Sequence, residues 1–359
     1  MSLDRIQLSD FRNHRETRLE GAARFNLLVG ENGAGKTNVL EAISLLAPGR
    51  GIRRAKLDDM PAQEGEGGFA ISADLIAGDE PVRLGTGIKA AQPGKRIIQI
   101  NQTNAPAIRL AEWLSIGWLT PAMDRLFADS AGARRRYMDR LAVAIDPGHA
   151  RHASRYEAAL RERNRLLSDP NPPDRAWLYS IEAQLASVGA MLAQGRARLI
   201  GALAAELALV PEEPFARPAL SYLPGGALEE TGLLAQLAAN RPRDRAAQRT
   251  LIGPHRDELQ VTMASKGAPA AQCSTGEQKA MLIAITLAHS TLAARGRPSL
   301  LLLDEVAAHL DPIRREALFE RLRAGQAQVW LTGTEPGPFA PMMAQAASWR
   351  IADGTAARI

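Results

Sequence analysis

The chain has 359 residues, enough for two domains or for one domain that carries a large insertion. Its apolar fraction of 46% is typical of a globular protein, its single cysteine excludes an internal disulfide, and its formal charge of +5 favours an anionic partner. The charged N-terminus does not resemble a signal peptide, and the apolar runs are too short to span a bilayer. We therefore expect a cytoplasmic protein without a membrane partner.

A phosphate-binding loop lies between a predicted strand and a predicted helix. The apolar run FNLLV, residues 25–29, is typical of a buried parallel strand. The next eight residues satisfy the pattern G-x-x-x-x-G-K-[ST], and apolar residues behind them give a helix one apolar face. The eight residues are Gly30, Glu31, Asn32, Gly33, Ala34, Gly35, Lys36 and Thr37.

This loop predicts a site for a nucleoside triphosphate. Glycines let successive backbone N–H groups point at one anion, and the helix that follows adds its positive N-terminal end. Lys36 is expected to reach the β- and γ-phosphates, and the Thr37 hydroxyl is expected to help hold Mg²⁺. A glycine-rich turn that binds nothing is the weaker interpretation, because strand, loop and helix occur together.

A helical segment interrupts the nucleotide-binding part of the chain. Residues 69–100 read as strands and turns, and the pattern becomes helical from about residue 128. Three prolines within residues 168–174 end the first long helix. Apolar residues at steps of three and four predict a second helix that packs against the first as an antiparallel arm. We expect an α/β fold, with a P-loop ATPase domain in two parts, residues 1–127 and 249–359, and an α-helical arm inserted at residues 128–248.

Basic residues concentrate in the first half of that arm. Between Arg134 and Arg165 nine arginines stand against four acids, and nine minus four gives +5, the formal charge of the whole chain. Clustered arginine favours DNA, and an aromatic content of only 4% favours contact with phosphates over base stacking. Arg134, Arg135 and Arg136 are the candidate DNA contacts. The same three arginines suit a helix wedged between lobes, and this structural alternative stays open.

Two further motifs follow in the C-terminal part. The stretch STGEQ opens a long helix with an apolar face, and the run SLLLL ends in two acids, with a third acid seven residues after the first. A phosphate loop, an S-x-G-x-Q helix start and an apolar strand that ends in Asp-Glu are more specific together than any one of them. The residues concerned are Ser274, Gly276, Gln278, Asp304, Glu305 and Asp311.

This order of motifs resembles the Walker A, signature, Walker B and D-loop of ABC-type ATPases. More narrowly, the chain resembles the RecF family of bacterial recombination mediators, which is related to SMC proteins. The narrower resemblance rests on four stretches: SDFRNHRETRLE (9–20), LTPAMDRLFADSAGARRRYMDRL (119–141), LIGPHRDEL (251–259) and STGEQKA (274–280). They are spread over nearly the full length.

The resemblance implies a homodimer that forms with ATP, in which the signature of one copy closes over the nucleotide held by the Walker A loop of the other. Asp304 would hold Mg²⁺ together with Thr37, and Glu305 would take a proton from the attacking water. Arg12 and Asn13 would reach the nucleotide. It also implies duplex or gapped and single-stranded DNA, RecR, RecO and RecA as partners, and roles in DNA repair, replication restart and the SOS response.

Two departures from the general ABC pattern favour a slow switch over a pump. The strand after Walker B offers Thr332 and Thr334 where transporters have a switch histidine, and His309 in the D-loop is badly placed for that task. No Q-loop glutamine occurs near residues 121–124. The alternative function, an ATPase subunit of an ABC-type transporter, would need a surface for membrane helices. A long SMC-like tether would need a longer arm, and a small-molecule kinase leaves the signature unexplained.

Overall fold

The computed structural model describes residues 2–77, 80–171, 173–294, 298–307 and 310–359. The chain divides into two compact units, Met1–Met123 with Thr286–Ile359, and Asp124–Ile285. The second unit therefore includes residues on both sides of the segment 128–248 that was predicted as the arm. Among the helices so described, none combines the length and the apolar character needed to span a bilayer.

The strands and helices are numbered in chain order. The strands are β1 (Ser2–Phe11), β2 (His14–Leu19), β3 (Phe25–Val29), β4 (Phe69–Ala77), β5 (Glu80–Ile88), β6 (Ile97–Ile100), β7 (Thr103–Asn104), β8 (Ser115–Leu119), β9 (Pro218–Leu223), β10 (Glu258–Met263), β11 (Ala268–Pro269), β12 (Ser299–Leu303), β13 (Gln328–Gly333), β14 (Ala346–Ala352) and β15 (Thr355–Arg358). The α-helices are α1 (Lys36–Ser44), α2 (Leu110–Trp113), α3 (Ala131–Ile145), α4 (Gly148–Ser168), α5 (Arg175–Ala208), α6 (Glu230–Ala239), α7 (Arg241–Ala246), α8 (Thr275–Ala293), α9 (Pro312–Ala324) and α10 (Ala340–Met343).

The first unit contains two six-stranded sheets. One is antiparallel, in the order β2-β1-β4-β5-β6-β7, and the other has the order β15-β14-β3-β13-β12-β8 and is parallel except for the β14–β15 pair. Strands β3, β12 and β13 are buried along their whole length, as expected for parallel strands covered on both faces. One apolar core joins both sheets and α1, and Trp330 stacks on Trp349 within it. The carboxyl ends of β3, β13 and β12 consequently share one edge.

The second unit is built on the helix pair α4 and α5. Gly189 packs against Tyr156, and Glu182 pairs with Arg163, so the contacts run in opposite directions along the two helices. The apolar core of this unit includes Leu185 from the predicted seam of α5 and also residues of α6. Strand β9 pairs with β10, which brings residues beyond the helical segment into the same unit.

Candidate functional site

The phosphate loop connects β3 to α1 and is supported by the turn between β1 and β2. Gly35 has φ 113°, and a Cβ at this position would lie 2.7 Å from both Asn13 Oδ1 and His14 Nε2, so only glycine fits. Asn13 Nδ2 donates to the Ala34 carbonyl (3.0 Å), and His14 Nε2 donates to the Gly35 carbonyl (3.0 Å). His14 is fully buried, and this burial lowers its pKa. Its role could not be predicted from the sequence, because it depends on a contact across 21 positions.

Lys36 begins α1 and lies beneath the phosphate loop. Its ammonium donates to the carbonyls of Gly30 (2.7 Å) and Glu31 (2.8 Å) and is almost fully buried. Burial lowers the pKa of Lys36, while the charges of Glu305 and Asp304 act in the opposite direction. Because the next residue, Thr37, contacts Asp304, the loop lysine lies near the Walker B stretch.

Thr37 and Asp304 meet at the shared edge of the parallel sheet. The Thr37 hydroxyl lies 3.0 Å from Asp304 Oδ1 and 3.1 Å from Oδ2, within donating distance of the carboxylate. Asp304 is held by its backbone N–H, which donates to the Leu119 carbonyl (2.9 Å). Burial raises the pKa of the Asp304 carboxyl, against the hydroxyls of Thr332 and Thr37, which lower it.

These two side chains fit a magnesium ion. A hydroxyl and a carboxylate are the hard oxygen ligands that Mg²⁺ prefers, usually with waters and phosphate oxygens completing the shell. No group of three or more His, Cys, Asp or Glu side chains that could hold a metal alone occurs in the described ranges. The expectation of Mg²⁺ therefore rests on Thr37 and Asp304 acting together with a bound nucleotide.

Thr332, at the end of β13, connects the two acids. Its hydroxyl donates to Asp304 Oδ1 (2.8 Å) and accepts the backbone N–H of Glu305 (2.9 Å). Glu305 has φ 53°, a left-handed conformation that costs a non-glycine residue about 1 kcal/mol or more. The hydrogen bond to Thr332 stabilises this backbone and so helps to set the direction of the Glu305 side chain. His309, which the sequence places badly for the task of a switch histidine, lies outside the described residues.

We expect Thr332→Val to lower ATP turnover by about 10- to 100-fold with little change in nucleotide affinity. Valine keeps the branched shape but removes the hydroxyl, so Asp304 loses a donor and Glu305 N–H loses its acceptor. The free energy of unfolding should fall by about 1–3 kcal/mol. Thr332→Ser, which keeps the hydroxyl, is the control. Steady-state turnover and denaturant unfolding measure both effects, and equal turnover in the two variants would show that the hydroxyl does not position the acids.

A cavity of about 500 Å³ opens beside the phosphate loop in the first unit. Its lining includes Arg12, Asn13, Asn38 and Arg53. Arg12 donates to both carboxylate oxygens of Glu41 (3.0 and 2.8 Å), and Arg53 donates to Glu41 Oε2 (2.9 Å). Glu41 lies on α1 with its side chain fully buried. One buried carboxylate thus fixes two cavity-lining arginines, a role that the sequence alone does not reveal.

We expect Glu41→Gln to raise the Kd for ATP about tenfold, because Arg12 and Arg53 lose the carboxylate that positions them. The charge-assisted hydrogen bonds between these arginines and Glu41 are of a kind that stabilises by about 1.5–3 kcal/mol. Glutamine keeps the size of the side chain but leaves Arg12 and Arg53 without a carboxylate. Glu64→Gln is the matched control, because Glu64 lines the same cavity with a side chain that is 82% exposed. Fluorescent-nucleotide titration measures the Kd, and an unchanged value in Glu41→Gln would contradict the expectation.

Asp311 and the signature residues lie at two other helix starts. Asp311 is the N-cap of α9, where Oδ1 accepts the Arg314 N–H (3.0 Å). Ser274 caps α8: its hydroxyl accepts the Glu277 N–H (3.3 Å), while Glu277 Oε2 accepts the Ser274 N–H (2.9 Å). Gln278 is buried and donates to the Cys273 carbonyl (2.8 Å). These signature residues belong to the second unit.

The first turn of α8 is open to solvent. Ser274, Thr275 and Gly276 are all exposed, and a Cβ on Gly276 would have no neighbour within 4 Å. The free N–H groups and the positive end of a 19-residue helix thus face solvent. Such a helix start can receive an anion.

The three candidate DNA contacts on α3 differ in their surroundings. Arg134 donates to both oxygens of Glu258 (2.7 and 2.8 Å), and Arg135 donates to the Asp257 carbonyl (2.9 Å). Arg136 is exposed. A further arginine of the basic segment, Arg163, is fully buried between carboxylates. The excess of arginines counted in the sequence therefore overstates the charge that faces solvent, and Arg134 is engaged in an ion pair within the second unit.

We expect Arg134→Gln to lower the melting temperature, because it breaks a bidentate ion pair. In a double-mutant cycle with Glu258→Gln, the coupling should be about 0.5–1 kcal/mol, as both side chains are partly exposed. Arg136→Gln is the control and should leave the melting temperature unchanged. If Arg134→Gln instead kept its melting temperature and flattened the salt dependence of DNA affinity, Arg134 would be a DNA contact.

Solved structures define the class of this fold. The recombination mediator protein RecF with ATPrS gives a TM-score of 0.88 at 22% identity, covering 100% of this chain and 98% of that chain. The Smc head bound to the C-winged helix domain of ScpA gives 0.56 at 14% identity, covering 100% and 97%. The fold is that of an ABC-type ATPase head of the RecF and SMC kind, which confirms the predicted fold class.

Sequence comparison places the chain within that class. The family model for the RecF/RecN/SMC N terminal domain matches residues 2–348. The DNA replication and repair protein RecF of Mesorhizobium japonicum is 44% identical over 369 residues, 98% of this chain and 97% of the relative. That of Caulobacter vibrioides is 43% identical over 370 residues, 97% and 96%. The chain belongs to the RecF family, which confirms the resemblance and disfavours the transporter alternative.

Proposed function

We propose that this protein is an ATP-dependent DNA clamp that acts in DNA replication and recombinational repair. Relatives are named DNA replication and repair proteins, and solved RecF structures are described with ATP and ATPrS. One observation carries the proposal: the first unit assembles Lys36, Thr37, Asp304 and Glu305 at one edge, while the second presents the exposed, capped start of α8. Each unit offers one half of a nucleotide site.

The residues of the first unit have the chemistry for binding and hydrolysing ATP. Lys36 exchanges its loop carbonyls for the β- and γ-phosphates when the nucleotide binds. Thr37 and Asp304 would hold Mg²⁺, which would neutralise charge on the phosphates. Glu305 orients the attacking water and accepts its proton. Arg12 and Asn13 bind the nucleotide from the adjacent turn.

The exposed start of α8 completes the site of a second copy. A helix N-terminus with free N–H groups binds phosphate, and Ser274 and Gly276 leave that end open. ATP then lies between the phosphate loop of one copy and the signature of its partner, with Asp311 and Gln278 at the same junction. Binding of ATP therefore forms the dimer, and hydrolysis releases it.

The clamp works slowly and on damaged or gapped DNA. Thr332 is hydrogen-bonded to Asp304 and Glu305 and lies on the strand where ABC transporters have the switch histidine. The lack of that histidine on the strand favours a switch with a low, DNA-stimulated turnover of ATP. Following the family, we propose duplex DNA at gaps and single-stranded junctions as the target, RecR, RecO and RecA as partners, and a contribution to the SOS response in the cytoplasm.

The test compares nucleotide states of the unmodified protein. Sedimentation and DNA binding are measured without nucleotide, with ADP, with ATP and with a non-hydrolysable ATP analogue. The proposal expects a monomer without nucleotide, a dimer with ATP or the analogue, and tighter DNA binding by that dimer. A monomer in all four states, or a DNA affinity that does not change with the nucleotide, would rule out the clamp.

A further inference from the structure

The segment Gly253–Asp257, which we name the 253–257 loop, is held by its backbone at the entrance to β10. Gly253 has φ 126°, its N–H donates to the Gly225 carbonyl (2.9 Å), and a Cβ here would lie 2.7 Å from the Tyr156 hydroxyl. Only glycine fits this position. The loop carries part of the LIGPHRDEL stretch, whose purpose the nucleotide site does not explain.

Buried Arg196 of α5 joins the two ends of the 253–257 loop. Its Nη1 donates to the Pro254 carbonyl (2.7 Å) and to Asp257 Oδ2 (2.8 Å). Asp257 is also buried and accepts the Tyr222 hydroxyl and the Gly225 N–H. The Asp257 carboxylate therefore accepts three hydrogen bonds, from Arg196, Tyr222 and Gly225, which hold the end of the loop in place.

His255 closes the loop from a third side. Its Nε2 donates to the Thr250 carbonyl (2.9 Å), since a carbonyl can only accept, and its Nδ1 accepts the Tyr156 hydroxyl (2.8 Å). Burial lowers the pKa of His255 and keeps the ring neutral, as this pairing requires. Arg135 adds a hydrogen bond to the Asp257 carbonyl (2.9 Å) from α3.

Arg256 is the exception in this loop. Its backbone N–H donates to the Gly253 carbonyl (2.8 Å), but its side chain is exposed and makes no hydrogen bond or ion pair within the described part of the chain. The two acids that follow Arg256 in the chain are already engaged, Asp257 by Arg196 and Glu258 by Arg134. Burial lowers the pKa of Arg135, the charges of Arg196 and Arg256 act in the same direction, and those of Glu258 and Asp257 oppose them.

We propose that Arg256 binds a backbone phosphate of DNA. The inference rests on the proposed function, since it places one DNA contact of the clamp. A guanidinium fork matches phosphate oxygens in two parallel hydrogen bonds. Because buried and half-buried side chains fix the backbone beneath Arg256, less conformational freedom is lost when the contact forms. The contact reads no base, since phosphates are alike in every sequence.

The experiment measures the salt dependence of duplex and single-stranded oligonucleotide binding by fluorescence anisotropy with ATP present. Arg256→Gln should weaken duplex binding about tenfold and reduce the log–log salt slope by about 0.9 for each chain on the DNA. Arg256→Lys keeps the charge and should keep most of the slope. Arg109→Gln, which removes an equally charged and 54% exposed side chain outside the basic segment, should change neither quantity.

The outcomes separate this inference from the function on which it rests. If the parent protein does not bind DNA, the clamp itself fails. If the parent binds and Arg256→Gln binds with equal affinity and slope, only the inference is overturned. If Arg256→Gln lost ATP-driven dimerisation in the absence of DNA, Arg256 would bind a phosphate of the nucleotide and not of DNA, and the inference would be overturned. All variants should keep the parent's melting temperature, and a fall in Arg256→Gln alone would show a structural arginine.

Discussion

Glu305→Gln should reduce ATP hydrolysis by about 10²- to 10⁴-fold, the usual loss when one general base is removed. Glutamine keeps the size of the side chain, and the backbone N–H of residue 305 still donates to the Thr332 hydroxyl. Asp304 and Thr37 are unchanged, so ATP and Mg²⁺ should bind as in the parent. The dimer that forms with ATP should therefore persist on DNA, because release requires hydrolysis.

Single-turnover hydrolysis and the dissociation rate of the DNA complex measure this expectation together. Glu320→Gln is the matched control, because it makes the same chemical change at an exposed position of α9 and should affect neither rate. Lys36→Arg is the complementary variant: it keeps the charge but not the compact ammonium, and dimerisation should fail. A Glu305→Gln protein that hydrolyses ATP at the parental rate would falsify the role of Glu305 as the base.

The fold class and the phosphate loop could be predicted because local chemistry fixes them. A phosphate loop requires glycine, lysine and threonine at fixed spacings between a buried strand and a helix. Eight consecutive residues, 30–37, are enough to recognise this pattern. The meeting of Thr37 with Asp304 is different, since the two lie 267 positions apart. It follows from the strand order β3-β13-β12, which aligns the carboxyl ends of parallel strands. The sequence alone does not reveal that order, and only the family resemblance implied that Thr37 and Asp304 act together.

Contacts between distant residues explain what could not be predicted. In the sequence, Glu41 is an ordinary helix residue and Thr332 an ordinary strand residue. Only the structure shows that Arg12 and Arg53 bind Glu41 and that Thr332 binds Asp304. Charge counting has the same weakness. It cannot separate buried Arg163, paired with carboxylates, from exposed Arg256.

Ser274 tests whether the start of α8 binds the nucleotide of a second copy. Its hydroxyl has a structural task already, since it caps the helix in a reciprocal pair with Glu277. Losing such a cap costs about 1 kcal/mol, so a loss of dimerisation could follow from a frayed helix rather than from a missing phosphate contact. A variant that keeps the cap but repels phosphate distinguishes helix fraying from the loss of a phosphate contact.

Ser274→Asp is that variant, because aspartate caps helices as well as serine does but repels phosphate. We expect Ser274→Asp and the bulky Ser274→Arg to abolish ATP-driven dimerisation while ATP binding to the monomer stays nearly intact. Ser274→Thr keeps both the cap and the hydroxyl, and should dimerise. Sedimentation with the ATP analogue, nucleotide titration and thermal melting give the three readouts. Normal dimerisation of Ser274→Asp would mean that Ser274 only caps α8 and that ATP does not bridge two copies at this residue.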